Sequence, residues 1–243
     1  MTILFIPVAD LSKSKSRLTE CFTPEQRQDF TRALFKDLAE KVTSLDAFRA
    51  KVVYSPDERI LKLAEIYDLI ALKEERSQNS KNFDAIFMEM DEIAINRFNA
   101  GASLVVFLDL PLITQENLLA LNSILKKNQV VISPALNSAG ISVLGRRPVD
   151  IISSQFDDPS DPSLVAHYKT ANQQEVDRFV LYDSLRASFD VDIKDDLILT
   201  FEYLKVFNLT DSYTFRFLEH NLDQKICKNE NLNNREFLYK QKQ

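Results

Sequence analysis

The sequence predicts a single α/β domain in which a mixed, mostly parallel β-sheet is flanked by helices on both faces. Three observations predict it. Short apolar runs alternate with helix-length segments almost throughout the chain, which is typical of an open parallel sheet. The length of 243 residues suits one domain with an extension. The hydrophobic fraction of 45% can fill a sizeable core.

Helix caps and apolar spacing define the elements in the first half of the chain. Thr23 is predicted to cap a helix that has Pro24 at its first position and Gln26 at its third. Apolar side chains then recur at helical spacing to about residue 43. Strands are predicted at residues 3–8, 51–54, 69–72 and 103–108, and further helices up to residue 66 and over residues 82–98.

The second half continues the alternation. Thr114 is predicted to cap the next helix, and Ser163 a helix over residues 164–174. Strands are predicted at residues 130–132, 141–144 and 179–181, and the last core helix at 195–206. One domain is therefore predicted over residues 1–207. The polar extension over residues 208–243 is predicted to hold a helix at 212–222 and then a mobile or interacting tail.

Composition argues against several classes of protein. The chain has three glycines, and none follows the first strand, where a Walker A loop or a dinucleotide-binding fingerprint needs them. Its net charge of −6 is unfavourable for bulk nucleic acid and for anionic membranes. No apolar run approaches the ~20 residues of a membrane-spanning helix. Cys21 and Cys227 form no disulfide or zinc motif. We expect a cytoplasmic protein that binds neither nucleic acid nor a membrane.

A basic loop follows the first predicted strand directly. It contains Ser12, Lys13, Lys15 and Arg17. At the carboxyl end of a parallel strand, lysine and arginine side chains can hold a triphosphate. The alternative is a solvated basic loop without a ligand, and composition alone does not separate the two.

Carboxylates follow two other predicted strands. Asp109 comes directly after the most apolar strand, and Asp190 and Asp192 follow a later one. Carboxylates at positions i and i+2 of an extended segment point the same way, and their oxygens suit Mg²⁺ beside substrate phosphates. The alternatives are a turn cap for Asp109 and a helix cap for Asp192 or Asp195.

The segment before the helix at 164–174 could receive an anion. Ser160 and Ser163 lie in this segment, and a helix N-terminus offers N–H groups to an anion. His167 lies on the helix and is interpreted as a structural residue. Because His220 is the only other histidine, neither a histidine-based triad nor a histidine metal site is predicted.

The motifs together resemble a known family. They are IPVADLSKSKSRL at residues 6–18, VVYSPD at 52–57, LDLPLIT at 108–114, VVISPALNSAGISVL at 130–144 and FDVDIKDDL at 189–197. In order and spacing they resemble the 2-phospho-L-lactate guanylyltransferase (CofC) family, which belongs to the GT-A-like nucleotidyltransferases. The resemblance covers about residues 3–205 and leaves the tail outside.

The resemblance implies a reaction. GMP would pass from GTP to the phosphate of a small phosphorylated acid, with release of pyrophosphate, in deazaflavin coenzyme biosynthesis. The acids implied are 2-phospho-L-lactate, phosphoenolpyruvate and 3-phosphoglycerate. The expected cofactor is Mg²⁺, the expected partners are GTP and the acid, and a homodimer is left open.

The resemblance also implies a role for each residue of the site. The catalytic residues would be Lys15, Arg17 and Asp109, and the ligands of Mg²⁺ would be Asp109, Asp190 and Asp192. The nucleotide would be bound by Ser12, Lys15, Arg17, Ser55, Pro56 and Asn82, and the acid by Gly140, Ile141, Ser160 and Ser163. Lys13 would be a bystander.

Four departures from the family's pattern leave other functions open. The family's Lys is Ala9 here, its Thr-Asn is Ile141-Ser142, its glycine near Ser160 is missing, and its Thr-Pro after Asp192 is Ile193-Lys194. The alternatives are a nucleotidyltransferase with a sugar phosphate or a molybdopterin as acceptor, and a non-catalytic nucleotide-binding protein of the same fold.

Overall fold

A seven-stranded sheet lies at the centre of the computed structural model, which describes residues 1–74, 82–228 and 235–241. Its strands are β1 (Thr2–Pro7), β2 (Ala50–Ser55), β3 (Ile70–Lys73), β4 (Ala102–Val106), β5 (Val130–Pro134), β6 (Ile141–Arg146) and β7 (Phe179–Leu181). The strand order is β3-β2-β1-β4-β6-β5-β7. Strand β6 is antiparallel to β4 and β5, and the other pairs are parallel. The predicted mixed, mostly parallel sheet is confirmed.

Helices connect the strands and cover both faces of the sheet. They are α1 (Pro24–Thr43), α2 (Glu58–Ile66), α3 (Phe83–Glu92), α4 (Gln115–Leu125), α5 (Ser163–Gln173), α6 (Leu185–Ser188), α7 (Lys194–Val206) and α8 (Tyr213–Asn221). Helix α3 continues as a π-helical turn over Ile93–Arg97. The single helix predicted over residues 82–98 is therefore two kinds of helix in succession.

Strand β1 shows how the sheet is buried. Leu4 and Ile6 pack into an apolar cluster with side chains of α1, α2 and α4. Ile3 and Phe5 pack on the other face with side chains of α3 and α5. All four side chains are fully buried. Burial on both faces explains why β1 is continuously apolar in sequence rather than alternating.

Two predicted helix caps are confirmed. Thr23 accepts a hydrogen bond from the N–H of Gln26 and completes a capping box with it. Thr114 forms the same arrangement with Asn117 at the start of α4. Both helix starts follow from the side-chain chemistry of the cap and of the third helical residue.

The predicted cap of α5 is wrong, and so is the alternative in which Asp192 or Asp195 caps the last core helix. Pro162 is the N-cap of α5 and Ser163 is its first residue, with no side-chain cap. The N–H of Leu164 instead donates to the main-chain oxygen of Ala139 at 3.1 Å. A neighbouring loop therefore supplies a hydrogen-bond acceptor for one of the N–H groups that the first turn of the helix leaves without a partner. At α7 the cap comes from neither Asp192 nor Asp195.

Asp196, at the third position of α7, supplies that cap. Its carboxylate accepts the N–H groups of Asp192 and Ile193, each at 2.9 Å. A negative charge in the first turn of a helix is favourable. The contact also orders the backbone just after Asp190.

The C-terminal extension contains the predicted helix. Ser212 caps α8, and the carboxylate of Asp37 on α1 accepts the N–H groups of Tyr213 and Thr214 at 2.8 and 2.9 Å. Where a mobile or interacting tail was predicted, β8 (Leu222–Lys228) and β9 (Arg235–Gln241) form an antiparallel pair. The polar composition of this segment did not indicate the two strands. The domain boundary at residue 207 stays a prediction.

No helix in the described ranges is both long enough and apolar enough to cross a membrane.

Candidate active site

The loops after β1 and β4 open side by side. Strand β1 lies between β2 and β4 in the sheet. The chain runs from β1 outward to β2 and β3 and then returns to β4 on the other side of β1, so the direction of the strand order reverses here. In open α/β sheets a ligand crevice forms at such a point, outside the carboxyl ends of the strands. A cavity of about 510 Å³ lies here. Its charged lining includes Lys13, Lys15, Arg17, Asp109 and Asp192.

Lys15 joins three segments at this cavity. Its ammonium donates to Asp109 Oδ2 at 3.1 Å and to the main-chain oxygen of Val191 at 2.6 Å. It also lies 3.5 Å from Asp192 Oδ1. The side chain is only 10% exposed, so the charge acts in a partly dehydrated place where electrostatic interactions are stronger than in water.

The backbone of Lys15 is left-handed, with φ of 49°. A residue with a β-carbon adopts this conformation at a cost of order 1 kcal/mol or more, and such residues concentrate at functional sites. The conformation separates the two short 3-10 turns of the loop, Leu11–Lys13 and Ser16–Leu18. It lets a loop without glycine turn the ammonium of Lys15 towards the ends of the neighbouring strands.

Arg17 is an exposed cation of the loop. Its Nη1 donates to Asp192 Oδ2 at 2.9 Å, and its side chain is 68% exposed. One ion pair therefore orients the guanidinium while much of its surface still faces solvent. Arginine in this state can present two parallel N–H groups to a phosphate.

Asp190 is a buried carboxylate beside Asp109. The N–H of Val191 donates to the main-chain oxygen of Asp109 at 3.0 Å, which holds the two segments together. Burial raises the pKa of Asp190 to about 6, and the charge of Asp109 acts in the same direction. Within the described part of the chain, its Oδ1 has no hydrogen-bond partner. Near Asp109 and Asp190, the site therefore holds more negative charge than its cations neutralise.

The predicted ligands of Mg²⁺ are the carboxylates of Asp109, Asp190 and Asp192. Across residues 1–74, 82–228 and 235–241, no group of three or more His, Cys, Asp or Glu side chains is arranged as a metal site. The pair Asp109 and Asp190 nevertheless fits a hard divalent cation, because Oδ1 of Asp190 is buried without a partner among the described residues, and because burial and the charge of Asp109 raise the pKa of Asp190. Lys15 supplies the positive charge in this arrangement.

The residues predicted to bind the nucleotide are only partly brought together. Lys15 and Arg17 line the cavity, whereas Ser12, Ser55, Pro56 and Asn82 are not among its lining residues. Ser12 bonds to Asp10 through its N–H and hydroxyl at 3.0 and 2.7 Å. Ser55 is buried and accepts the N–H of Asp57. Asn82 caps α3. Lys13, the predicted bystander, does line the cavity.

The residues predicted to bind the acid lie outside this lining. Gly140 and Ser163 are neighbours, since a β-carbon on Gly140 would lie 3.8 Å from the Ser163 hydroxyl. Ile141 is buried in the sheet. The N–H of Ser160 already donates to Asp158 at 2.7 Å. An anion at this place would have to compete with Asp158 for that main-chain group.

His167 takes a structural position. It is fully buried, its Nε2 accepts the N–H of Gln155 at 3.2 Å, and its Nδ1 lies 2.7 Å from the main-chain oxygen of Ser163. A neutral ring with the proton on Nδ1 satisfies both contacts. Burial lowers the pKa of His167 to about 4.

Aromatic residues that the sequence did not single out also line the cavity. They are Tyr54, Phe83 and Phe107. Phe83 directly follows the cap Asn82, and Phe107 directly follows β4. Each is an aromatic residue in a segment predicted to form a strand or an amphipathic helix, so periodicity alone would assign it to the core.

The fold is shared with solved nucleotide-handling enzymes. A protein of Desulfovibrio desulfuricans named as a nucleotide-diphospho-sugar transferase superimposes with a TM-score of 0.71 at 15% identity, covering 90% of this chain and 94% of that one. The 4-diphosphocytidyl-2C-methyl-D-erythritol synthase of Anaerococcus prevotii superimposes with a TM-score of 0.59 at 14% identity, covering 84% and 96%.

The shared sheet architecture defines the fold, and the match of the sequence to a family of guanylyl transferases defines the class of protein, a nucleotidyltransferase. Within that class, the chain belongs to the guanylyl transferase CofC-like family, whose sequence pattern matches residues 1–218.

Two relatives illustrate the family. The 2-phospho-L-lactate guanylyltransferase of Methanocaldococcus vulcanius is 26% identical over 195 residues, which are 80% of this chain and 82% of that protein. The phosphoenolpyruvate guanylyltransferase of Sphaerobacter thermophilus is 31% identical over 158 residues, which are 64% and 72% of the two chains. Members similar to this chain therefore carry names with different acids.

Proposed function

We propose that this nucleotidyltransferase transfers GMP from GTP to a small phosphorylated acid in deazaflavin coenzyme biosynthesis. The family match and the names of the relatives support this proposal. The candidate acids are 2-phospho-L-lactate, phosphoenolpyruvate and 3-phosphoglycerate. A phosphate oxygen of the acid attacks the α-phosphorus of GTP, and the bond from that phosphorus to the bridging oxygen of pyrophosphate breaks.

The contact of Lys15 with Asp109 is the observation that carries the proposal. It joins the basic loop after β1 to the carboxylate after β4 at the mouth of one cavity. Phosphoryl and nucleotidyl transfer depend on positioned charge more than on covalent chemistry. Lys15 would neutralise charge that develops at the α-phosphate, and Arg17 would hold the outer phosphates of the triphosphate.

We propose Mg²⁺ as the cofactor, with Asp109, Asp190 and Asp192 as its protein ligands. Oδ1 of Asp190, which is buried and has no hydrogen-bond partner among the residues that the structure describes, supports this choice. When bound, the ion would neutralise triphosphate charge and favour departure of pyrophosphate. Asp190 would gain a partner for its buried oxygen, and the raised pKa would return towards its ordinary value.

The remaining binding residues are proposed from the family resemblance. Ser12, Ser55, Pro56 and Asn82 would act on the nucleotide side. Gly140, Ile141, Ser160 and Ser163 would act on the acid side, and the proximity of Gly140 to Ser163 supports a shared acid pocket. A homodimer and a cytoplasmic location stay predictions, which light scattering and cell fractionation would test.

The test is pyrophosphate release by the purified protein with GTP and Mg²⁺. Each of the three acids is added in turn, and a sugar phosphate and a molybdopterin serve as alternative acceptors. Release that depends on one of the acids supports the proposal. Release of pyrophosphate only with another acceptor would contradict the proposal that the acceptor is a phosphorylated acid. GTP binding measured by calorimetry, without turnover on any acceptor, would contradict the proposal that the protein is an active enzyme.

A further inference from the structure

The cavity has an apolar wall in addition to its charged residues. Phe83, Ile86, Phe107 and Leu108 contribute to this wall. Phe83 is 37% exposed, although its ring takes part in an aromatic cluster. A large aromatic ring left open to a cavity is available to contact a ligand.

The ring of Phe83 is held in position by other rings. It stacks on Phe107 with centroids 5.7 Å apart and an interplanar angle of 24°. It also meets Phe156 edge-on at 5.3 Å and Phe87 at 5.7 Å. One face of Phe83 is therefore supported by Phe107, and the ring needs little ordering when a ligand arrives.

The backbone around Phe83 is fixed as well. The carboxylate of Asp84 accepts the N–H groups of Phe156 and Asp157 at 2.8 and 3.1 Å. In return, the carboxylate of Asp157 accepts the N–H of Asp84 at 2.7 Å. These reciprocal bonds clamp the first turn of α3 to the loop before α5, and so fix the residue that precedes Asp84.

We propose that Phe83 is the stacking surface for the nucleobase of the nucleoside triphosphate. The inference rests on the proposed nucleotidyl transfer. A nucleobase offers a flat π-face that matches a supported aromatic ring. A three-carbon phosphorylated acid offers a carboxylate and a phosphate, which would lose hydration against this wall without gaining hydrogen bonds.

The same chemistry limits what Phe83 does. Stacking serves every base, because every base has a π-face. Phe83 therefore provides affinity for the nucleotide and leaves the choice of guanine to hydrogen-bonding groups elsewhere. Because the base is held equally before and during transfer, Phe83 lowers the KM for the nucleotide and leaves kcat unchanged.

Substitution of Phe83 tests whether this residue affects the KM for the nucleotide and not kcat. For Phe83→Ala we expect the KM for GTP to rise roughly 5- to 150-fold, with kcat and the KM for the acid unchanged. Phe83→Tyr keeps the aromatic ring and should have a KM for GTP close to that of the wild type. A KM for GTP that does not change, or a rise in the KM for the acid instead, overturns the proposal.

A fluorescent variant supplies a readout that does not depend on turnover. The protein has no tryptophan, so Phe83→Trp introduces a single indole into the cavity wall. We expect GTP to quench its fluorescence in a saturable way and the acid alone to leave it unchanged. Tyr168→Trp is the matched control, because Tyr168 is 52% exposed and packs on Phe179 rather than lining the cavity.

The outcomes separate the two proposals. If calorimetry shows that GTP binds to the Phe83→Trp variant while its fluorescence does not change, stacking is overturned and nucleotidyl transfer stands. Equal quenching of both tryptophan variants also overturns stacking. If the wild-type protein binds no GTP at all, both proposals are overturned together.

Discussion

The ammonium of Lys15 lies 3.1 Å from Oδ2 of Asp109, although 94 positions separate the two residues in sequence. The contact exists because β1 and β4 are parallel neighbours whose carboxyl ends meet at one edge of the sheet. It brings a cation and a carboxylate together at the point where nucleotidyl transfer needs positioned charge.

Lys15→Gln should lower kcat/KM for GTP by roughly 100- to 1,000-fold, the range found when a positioned electrostatic donor is removed from an active site. The pyrophosphate assay measures this change. Lys127→Gln, an exposed change of the same charge, is the control. Equal activity of the two variants would contradict a catalytic role for Lys15.

Asp190→Asn should separate stability from activity. At neutral pH the charge of Asp190 is unfavourable, since burial and Asp109 raise its pKa to about 6. Removing that charge should raise the free energy of unfolding in Mg²⁺-free buffer by about 1–3 kcal/mol, while transfer is lost. Urea unfolding and the pyrophosphate assay measure the two effects. A less stable variant that stays active would count against both the charge balance and the metal role.

His167 should make the protein less stable as the pH falls. The pKa of its ring is about 4 in the folded chain against the ordinary value of 6.5, so the unfolded state binds the proton more strongly. The contribution of the neutral His167 ring to the free energy of unfolding is complete above pH 6.5. It falls progressively between pH 6.5 and pH 4, by about 3 kcal/mol in total.

Urea unfolding of the wild type and of His167→Gln across this pH range measures that contribution. The difference between the two proteins isolates it from the acidic groups that titrate in the same range. His220→Gln is the control, since His220 is exposed. A constant difference between wild type and His167→Gln at every pH would show that the ring does not titrate as its burial requires.

The ion pair of Arg146 with Asp91 should be needed for folding but not for chemistry. The Arg146 side chain is completely buried, and it also donates to the main-chain oxygen of Ile152 at 3.1 Å. Arg146→Met leaves Asp91 in a site where burial already raises its pKa to about 6, and should cost about 3–5 kcal/mol.

A double-mutant cycle with Asp91→Leu tests whether the cost comes from the stranded carboxylate. The double variant should recover much of the stability lost in Arg146→Met, because no charge is then left without a partner. No recovery would mean that packing, rather than charge, determines the effect.

The sequence predicts the fold well where the chemistry is local. Thr23 and Gln26 locate the start of α1 because both partners of the cap lie within one turn. The prediction fails where a distant group substitutes for a local one. Ser163 does not cap α5, because Ala139, in a loop 24 positions earlier in sequence, satisfies the helix start.

The site follows the same rule. Lys15, Arg17 and Asp109 could be selected because each follows a strand, and the structure brings them to one cavity. The contacts of Lys15 with Val191 and Asp192 join residues 176 and 177 positions apart, and no spacing encodes them. Phe83 could not be recognised as a surface of the cavity, since an aromatic residue at the start of an amphipathic helix looks like core.

Tracing the α-phosphorus of GTP decides whether the cavity performs nucleotidyl transfer to an acid. GTP labelled at that phosphorus is incubated with Mg²⁺ and each phosphorylated acid, for the wild type and for Asp109→Asn. We expect the label in a guanylylated acid and unlabelled pyrophosphate with the wild type, and no transfer with a folded Asp109→Asn variant. Label that stays in GTP with every acid, or equal transfer by Asp109→Asn, would contradict the proposed reaction or the role of the strand-end carboxylate respectively.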